Sequence, residues 1–330
     1  MFDLQGYQLQ ADEVARLESP AAGGIILFTR NYQNPEQLQN LIRDIRQIRP
    51  GLLIAVDHEG GRVQRFQEGF TRLPPAACYR SQPDGENLAR KAGWLMAMEL
   101  RSFGVDFSFA PVLDVEAGLS QIIADRAFAS EAAEVARLAA AFMHGMHTAG
   151  MAATGKHFPG HGHVAADSHL ELPVDTRSRQ AIFEQDIHPF KALIDRGLEA
   201  IMPAHVVYPA VDHEPAGYSK IWLQGCLRAE LGFKGLIFSD DLSMAGAETA
   251  GSYDARAHKA LQAGCDMVLV CNAPDAAQEV LEATVGLADS AERSQRLHIM
   301  CGRFPVDRSR LLASPAWQQA VHSLEQLNND

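Results

Sequence analysis

Eight short apolar runs, separated by longer amphipathic segments, constrain this chain more than any other feature. The runs cover residues 2–4, 24–28, 52–57, 106–111, 152–158, 200–206, 235–240 and 267–271. The first is the weakest. All are nearly continuous in Ile, Val, Leu, Phe and Ala, the pattern of strands buried on both faces of a parallel sheet. Helical periodicity fills the gaps. Val135, Leu138, Ala139, Phe142 and Met146 recur at helical spacing, with Ser130 read as the N-cap and Gly150 as the stop. Residues 35–48 and 86–103 follow the same pattern. Strand–helix alternation repeated eight times predicts an α/β fold, a single (β/α)8 TIM-type barrel, with a doubly wound open sheet as the alternative. No Gly/Ser/Pro-rich linker divides the chain. One catalytic barrel domain is therefore expected over residues 1–330, with a helical segment at about 305–330 packed outside it.

Composition narrows the functional classes. With 330 residues, 47% of them hydrophobic, the chain can bury a large core. A net charge of −12 argues against nucleic acid or an anionic membrane as the main partner. No apolar run approaches bilayer length, and the start MFDLQGYQLQ has neither a basic region nor an apolar core, so a cytoplasmic protein is expected. The five cysteines have no regular spacing, which gives no disulfide framework and no C-x-x-C metal pair.

The polar residues collect at one end of the strands. Asp57 ends one run, Asp114 follows another, Lys156 and His157 end a third, His205 a fourth, and Asp240 and Asp241 a fifth. Active sites of barrels lie at the C-terminal ends of their strands, so this placement predicts a polar pocket there. The stretch Lys156–Arg177, KHFPGHGHVAADSHLELPVDTR, adds four histidines and an Asp-Ser-His step on a connection too long for plain linkage. If the backbone is strand-like there, Asp167 and His169 point to one face. A carboxylate beside a histidine sets the ring's tautomer and basicity.

These residues carry a resemblance. GGIILFTRNY, VDHEGGRVQRF, FAPVLDV, KHFPGHGHVAADSH, MPAHVVYPAVD, SKIWLQGCLRAELGFKGLIFSDDLSM and CDMVLVCN, in that order from about residue 23 to 272, resemble the single-domain, cytoplasmic, bacterial β-N-acetylhexosaminidases of glycoside hydrolase family 3. His58 departs from the family pattern, where glutamine is expected after the Asp. The resemblance implies a (β/α)8 barrel and a retaining exo-β-N-acetylglucosaminidase. Its substrate would be a peptidoglycan fragment undergoing recycling, N-acetylglucosamine joined to anhydro-N-acetylmuramic acid with or without peptide. It implies Asp240 as nucleophile, His169 as acid/base and Asp167 as its partner, with Asp57, Arg65, Arg126, Lys156 and His157 binding the sugar. No metal is expected, because the histidines of the Gly/Pro-broken loop lack fixed ligand spacing; no cofactor is expected either, and the expected partner is a small-molecule muropeptide or disaccharide, with a monomer as the expected state.

Other readings of single residues stand beside these. Asp241 reads as support for Asp240, and Asp114 as support more than as a catalyst. His161 and His163 read as shaping the loop. His205 fits substrate binding or strand capping equally. A metal-dependent hydrolase using His157, His161, His163, His169 and Asp240 is a rival, as is a sugar-binding barrel without turnover. A family 3 enzyme of other sugar specificity, such as a β-glucosidase, is nearer.

Overall fold

The computed structural model describes residues 1–165, 168, 172–287 and 290–328. Eight parallel strands form the centre: β1 (Phe2–Asp3), β2 (Gly24–Leu27), β3 (Leu53–Val56), β4 (Phe107–Ser108), β5 (Thr154–Phe158), β6 (Ala200–Pro203), β7 (Leu236–Asp241) and β8 (Met267–Leu269). Each falls on one of the eight expected runs. β1–β4 make one four-stranded parallel ladder and β5–β8 another. Gly24 stands beside Leu53 and Leu27 beside Val56; in the other half, Leu236 pairs with Ala200 and Lys156 with Met202. The halves meet at single parallel bridges, Val112 with Lys156 at one seam and Phe2 with Val270 at the other. The order 1 to 8 around the ring is that of a (β/α)8 barrel, and the open-sheet alternative falls away.

The barrel is filled by side chains. Phe107, Phe109 and Phe238 meet with ring centroids 5.1–5.5 Å apart, in edge-on or tilted pairs, beneath the strand C-termini. Such geometry suits the ring quadrupoles. Around it, Pro35–Ile48 is a helix because Leu38, Leu41, Ile42 and Ile45 repeat on one buried face. Asn34 caps it by accepting from the Gln37 N–H at 2.9 Å. The helix Ala132–Thr148 buries the expected apolar positions, but its N-cap is Glu131, not Ser130. The Glu131 carbonyl takes the Glu134 and Val135 N–H groups, so helical bonding starts one residue later than the side-chain preference of serine implied. Gly150 does sit just past its end, at φ +73°.

The C-terminal segment consists of two short helices, Arg308–Leu312 and Pro315–Glu325, rather than one. Ser314 accepts from the Trp317 N–H and begins the second, with Pro315 at its first position. Trp317 Nε1 donates to Glu99 Oε1 at 2.9 Å, which ties the segment to the helix Gly85–Arg101 on the barrel's outer surface.

Carboxylates appear at both ends of the barrel, but the two ends differ. At the N-terminal end, Asp106, Glu199 and Asp266 accept from the N–H groups of Ile54, Ala153 and Ile237 at 2.8–3.1 Å. Arg46, Arg303 and Arg296 pair with them in turn. These acids latch the bottom of the barrel through their arginine partners. Among the described residues, no helix is long and apolar enough to cross a membrane.

Candidate active site

At the C-terminal end of the strands lies a cavity of about 390 Å³, lined by Asp57, Glu59, Arg65, Arg126, Lys156, His157, Asp240 and Asp241, with Phe109 from the barrel interior also in its wall. Asp57 follows the last residue of β3, Lys156 and His157 lie within the last three positions of β5, and Asp240 and Asp241 end β7. The backbone of the barrel thus fixes where these charges stand.

On one side the charges interlock. Lys156 Nζ, with a buried side chain, lies 2.8 Å from Asp57 Oδ1 and 2.6 Å from Glu59 Oε1. Arg126 grips Glu59 through Nε and Nη2, both at 2.8 Å, the bidentate geometry that suits guanidinium and carboxylate. Arg65 is looser, 3.5 Å from Asp57, with its guanidinium 5.5 Å from the centroid of the Phe28 ring. Burial alone would raise the pKa of Asp57 and Glu59. The neighbouring cations outweigh it, Lys156 first for Asp57 and Arg126 first for Glu59, and hold both below the usual carboxylate range. Burial likewise works against the Lys156 charge, but Asp57 and Glu59 prevail and raise its pKa.

Across from this cluster, His157 is held by Asp114. Its Nδ1 lies 2.7 Å from Asp114 Oδ2, and the fully buried carboxylate also accepts the backbone N–H of His161 at 2.7 Å. If Nδ1 carries the proton, Nε2 is left as an acceptor. Burial opposes ionisation of Asp114, but His157 overrides it and keeps the acid charged. Gly162 belongs here because the chain passes against the backbone at Val115: a Cβ on Gly162 would collide with the Val115 carbonyl oxygen. His161 Nε2 lies 3.0 Å from Ser168 Oγ, and Ser168 is buried in the cavity wall.

The adjacent aspartates of β7 are differently occupied. Asp241 accepts from Ser243 N and Oγ and from Cys271 N, at 2.6–3.0 Å. Burial nonetheless pushes its pKa up to about 6. Asp240 accepts from the Asp241 N–H at 2.8 Å and borders the cavity. The sequence reading of Asp241 as support fits its three donors. His205 lies behind them: its Nε2 is 3.1 Å from the Asp241 carbonyl, it is fully buried, and burial lowers its pKa. Strand support, rather than exposure to the cavity, is what its position offers.

Asp57, Arg65, Arg126, Lys156, His157 and Asp240 are brought together, as expected. Asp167 and His169 lie outside the described residues. Glu59 was missed, although its spacing carried a clue: two residues after Asp57 on extended backbone, it shares that residue's face. Arg62 was also missed. It lies at the mouth and donates to the carbonyls of Gln121 and Ile122, which ties down the segment carrying Arg126. His58 is no ligand: packed near Phe66 and Phe70, it is kept neutral, its pKa pushed down by burial to about 3. Among the described residues, no three His, Cys, Asp or Glu side chains are grouped to hold a metal.

A barrel with a deep, charge-lined pocket at the strand C-termini defines an enzyme of the (β/α)8 class. The glycosyl hydrolase family 3 N-terminal domain matches residues 1–299, and the chain belongs to that family and is a glycoside hydrolase. It is 56% identical to a beta-hexosaminidase of Methylococcus capsulatus over 100% of this chain and 99% of that one. It is similar to NagZ from Neisseria gonorrhoeae solved with N-trifluoroacetyl-D-glucosamine, at 44% identity and a TM-score of 0.93, covering 99% of this chain and 97% of that one. NagZ from the same organism in complex with zinc ion is 42% identical, at a TM-score of 0.92 over 99% and 97%.

Proposed function

We propose that this chain is a retaining exo-β-N-acetylglucosaminidase that removes terminal N-acetylglucosamine from peptidoglycan fragments, with Asp240 as nucleophile and the His169–Asp167 pair as acid/base. The observation that carries the reading is the interlocked set Asp57–Lys156–Glu59–Arg126 facing Asp240 across one cavity. Asp57 and Lys156 are fixed hydrogen-bonding groups for sugar hydroxyls, and His157 presents an imidazole edge to the same space. The name of the Methylococcus capsulatus relative and the amino-sugar derivative bound by the Neisseria gonorrhoeae protein support a 2-acetamido sugar in that space.

In the mechanism, the Asp240 carboxylate attacks the anomeric carbon while His169 donates a proton to the departing oxygen. His169 then takes a proton from water as that water displaces Asp240 from the sugar. A histidine here departs from the two-carboxylate arrangement, yet its unperturbed pKa of ~6.5 suits a group that must both give and take a proton near neutrality. Ser168, buried in the pocket wall, is the sequence neighbour of both Asp167 and His169.

Two measurements test this. Aryl β-N-acetylglucosaminide should be turned over far faster than aryl β-glucoside, because a site built to bond a substrate group rejects the analogue lacking it. Comparable kcat/KM for the two would transfer the proposal to another β-glycosidase. For the acid/base, His169→Ala should show a burst of dinitrophenolate and an adduct on Asp240 by intact-protein mass spectrometry. Turnover of the natural disaccharide should fall on the order of 10²–10⁴-fold. Equal loss on both substrates, with no burst and no adduct, removes His169 from the role.

A further inference from the structure

We propose that Asp186 is a positioning residue for the acid/base stretch: one buried carboxylate holds the chain on both sides of Asp167 and His169. The inference rests on the His169 assignment above. Asp186 lies between the helices Arg179–Gln185 and Ile187–Ile194, outside the cavity lining, with its side chain fully buried. On the upstream side, His163 Nδ1 approaches its Oδ1 at 3.0 Å. Downstream, Arg177 Nη2 stands 2.9 Å from its Oδ2.

Backbone packing reinforces both grips. Gly160 passes so close that a Cβ there would lie 2.6 Å from the Asp186 Cβ, and its carbonyl accepts the Tyr208 hydroxyl at 2.6 Å. On the other side, Arg177 also grips Asp175 through Nε and Nη2 at 2.6–3.0 Å, and the Asp175 N–H donates to the Val207 carbonyl at 2.9 Å.

Holding residues 163 and 177 on one rigid carboxylate fixes the two points from which the acid/base stretch departs, and a small misplacement of a proton donor is costly to rate. A fully buried carboxylate gains stability from His163 and Arg177 as well, so the readout that separates positioning from stability is the dependence of rate on the leaving group.

The test measures leaving-group dependence in Asp186→Asn, with His169→Ala as the calibrating variant in the same assay. Asp186→Asn keeps the side chain's size and removes its charge. It should lower kcat on the natural disaccharide on the order of ten- to a hundredfold, but change the dinitrophenolate burst less than about threefold. The inhibition constant for N-acetylglucosamine should stay within about threefold, because the sugar-binding set is untouched. Added to His169→Ala, it should cause little further loss, as expected of residues acting through one another. Arg177→Gln and His163→Asn should repeat the pattern more weakly, and they carry the test if Asp186→Asn does not fold. Arg177→Lys should restore part of the loss.

Equal losses on both leaving groups, or full additivity with His169→Ala, would overturn the proposal, since a purely structural residue behaves so. If His169→Ala itself shows no leaving-group dependence, the acid/base assignment fails first and the proposal falls with it. Wild-type-like kinetics of Asp186→Asn beside a leaving-group-dependent His169→Ala refutes the proposal alone.

Discussion

Replacing Glu59 with Gln should disable the sugar pocket without touching the proposed nucleophile. Its buried carboxylate takes two hydrogen bonds from Arg126 at 2.8 Å and lies 2.6 Å from Lys156 Nζ. The amide keeps the shape but turns a donor toward cations that need acceptors. Lys156 retains Asp57 at 2.8 Å, whereas Arg126 keeps the Ile122 carbonyl at 3.2 Å and one amide oxygen but no contacting carboxylate. Arg126 is therefore the orphan. Removing one partner of a buried ion pair costs roughly 3–5 kcal/mol. If Arg126 swings away to find solvent, most of that cost appears as lost binding. The lower bound then predicts a fall in kcat/KM on the order of a hundredfold, at ~1.4 kcal/mol per factor of ten. If Arg126 stays, the cost appears in stability, as a fall in Tm of several degrees.

Steady-state kinetics on an aryl β-N-acetylglucosaminide, together with thermal melts, separates the two outcomes. A cycle with Arg126→Gln adds a check, because the double variant should lose little more than either single one. The sign with pH also follows. Glu59 is held below its ordinary pKa, so its contribution is present above about pH 4 and fades as pH falls further. The stability gap between wild type and Glu59→Gln should close in acid. A Glu59→Gln protein with kcat/KM within threefold of wild type and an unchanged melt would show that the cluster holds neither site nor fold.

Asp240→Ala should be nearly inactive on every substrate, with Asp241→Ala milder, and NMR of fresh product from the wild type should show the β-anomer first. An α-anomer would reject a covalent intermediate on Asp240. Asp241, raised to about 6 from 3.8 by burial, keeps its proton in the folded state where the unfolded chain has lost it. Wild-type stability should therefore fall as pH rises from about 4 to about 6, by at most roughly 3 kcal/mol, and denaturant melts of Asp241→Asn should lack that slope. Activity should persist in EDTA. Complete loss on chelation, restored by zinc, would revive the metal-dependent reading.

All eight strands could be read from the chain because burial on both faces demands unbroken apolar runs, and few other structures do. The ends of those runs also announced a polar mouth, since barrels place their chemistry there. What one dimension does not carry is which acids answer to which bases. Asp57, Asp106 and Asp266 all lie next to strands, and only the direction of the parallel ring separates a pocket acid from two that latch the bottom. Glu59 becomes important because Arg126, 67 positions away, reaches it across the barrel mouth. Asp114 becomes the holder of His157 because β4 and β5 meet at a seam. Asp186 meets His163 and Arg177 because the chain returns past its own start. Hydrophobic patterning is local and repeats, so the sequence displays it. Charge pairing spans tens of residues and depends on angles between strands, so only the folded barrel decides it.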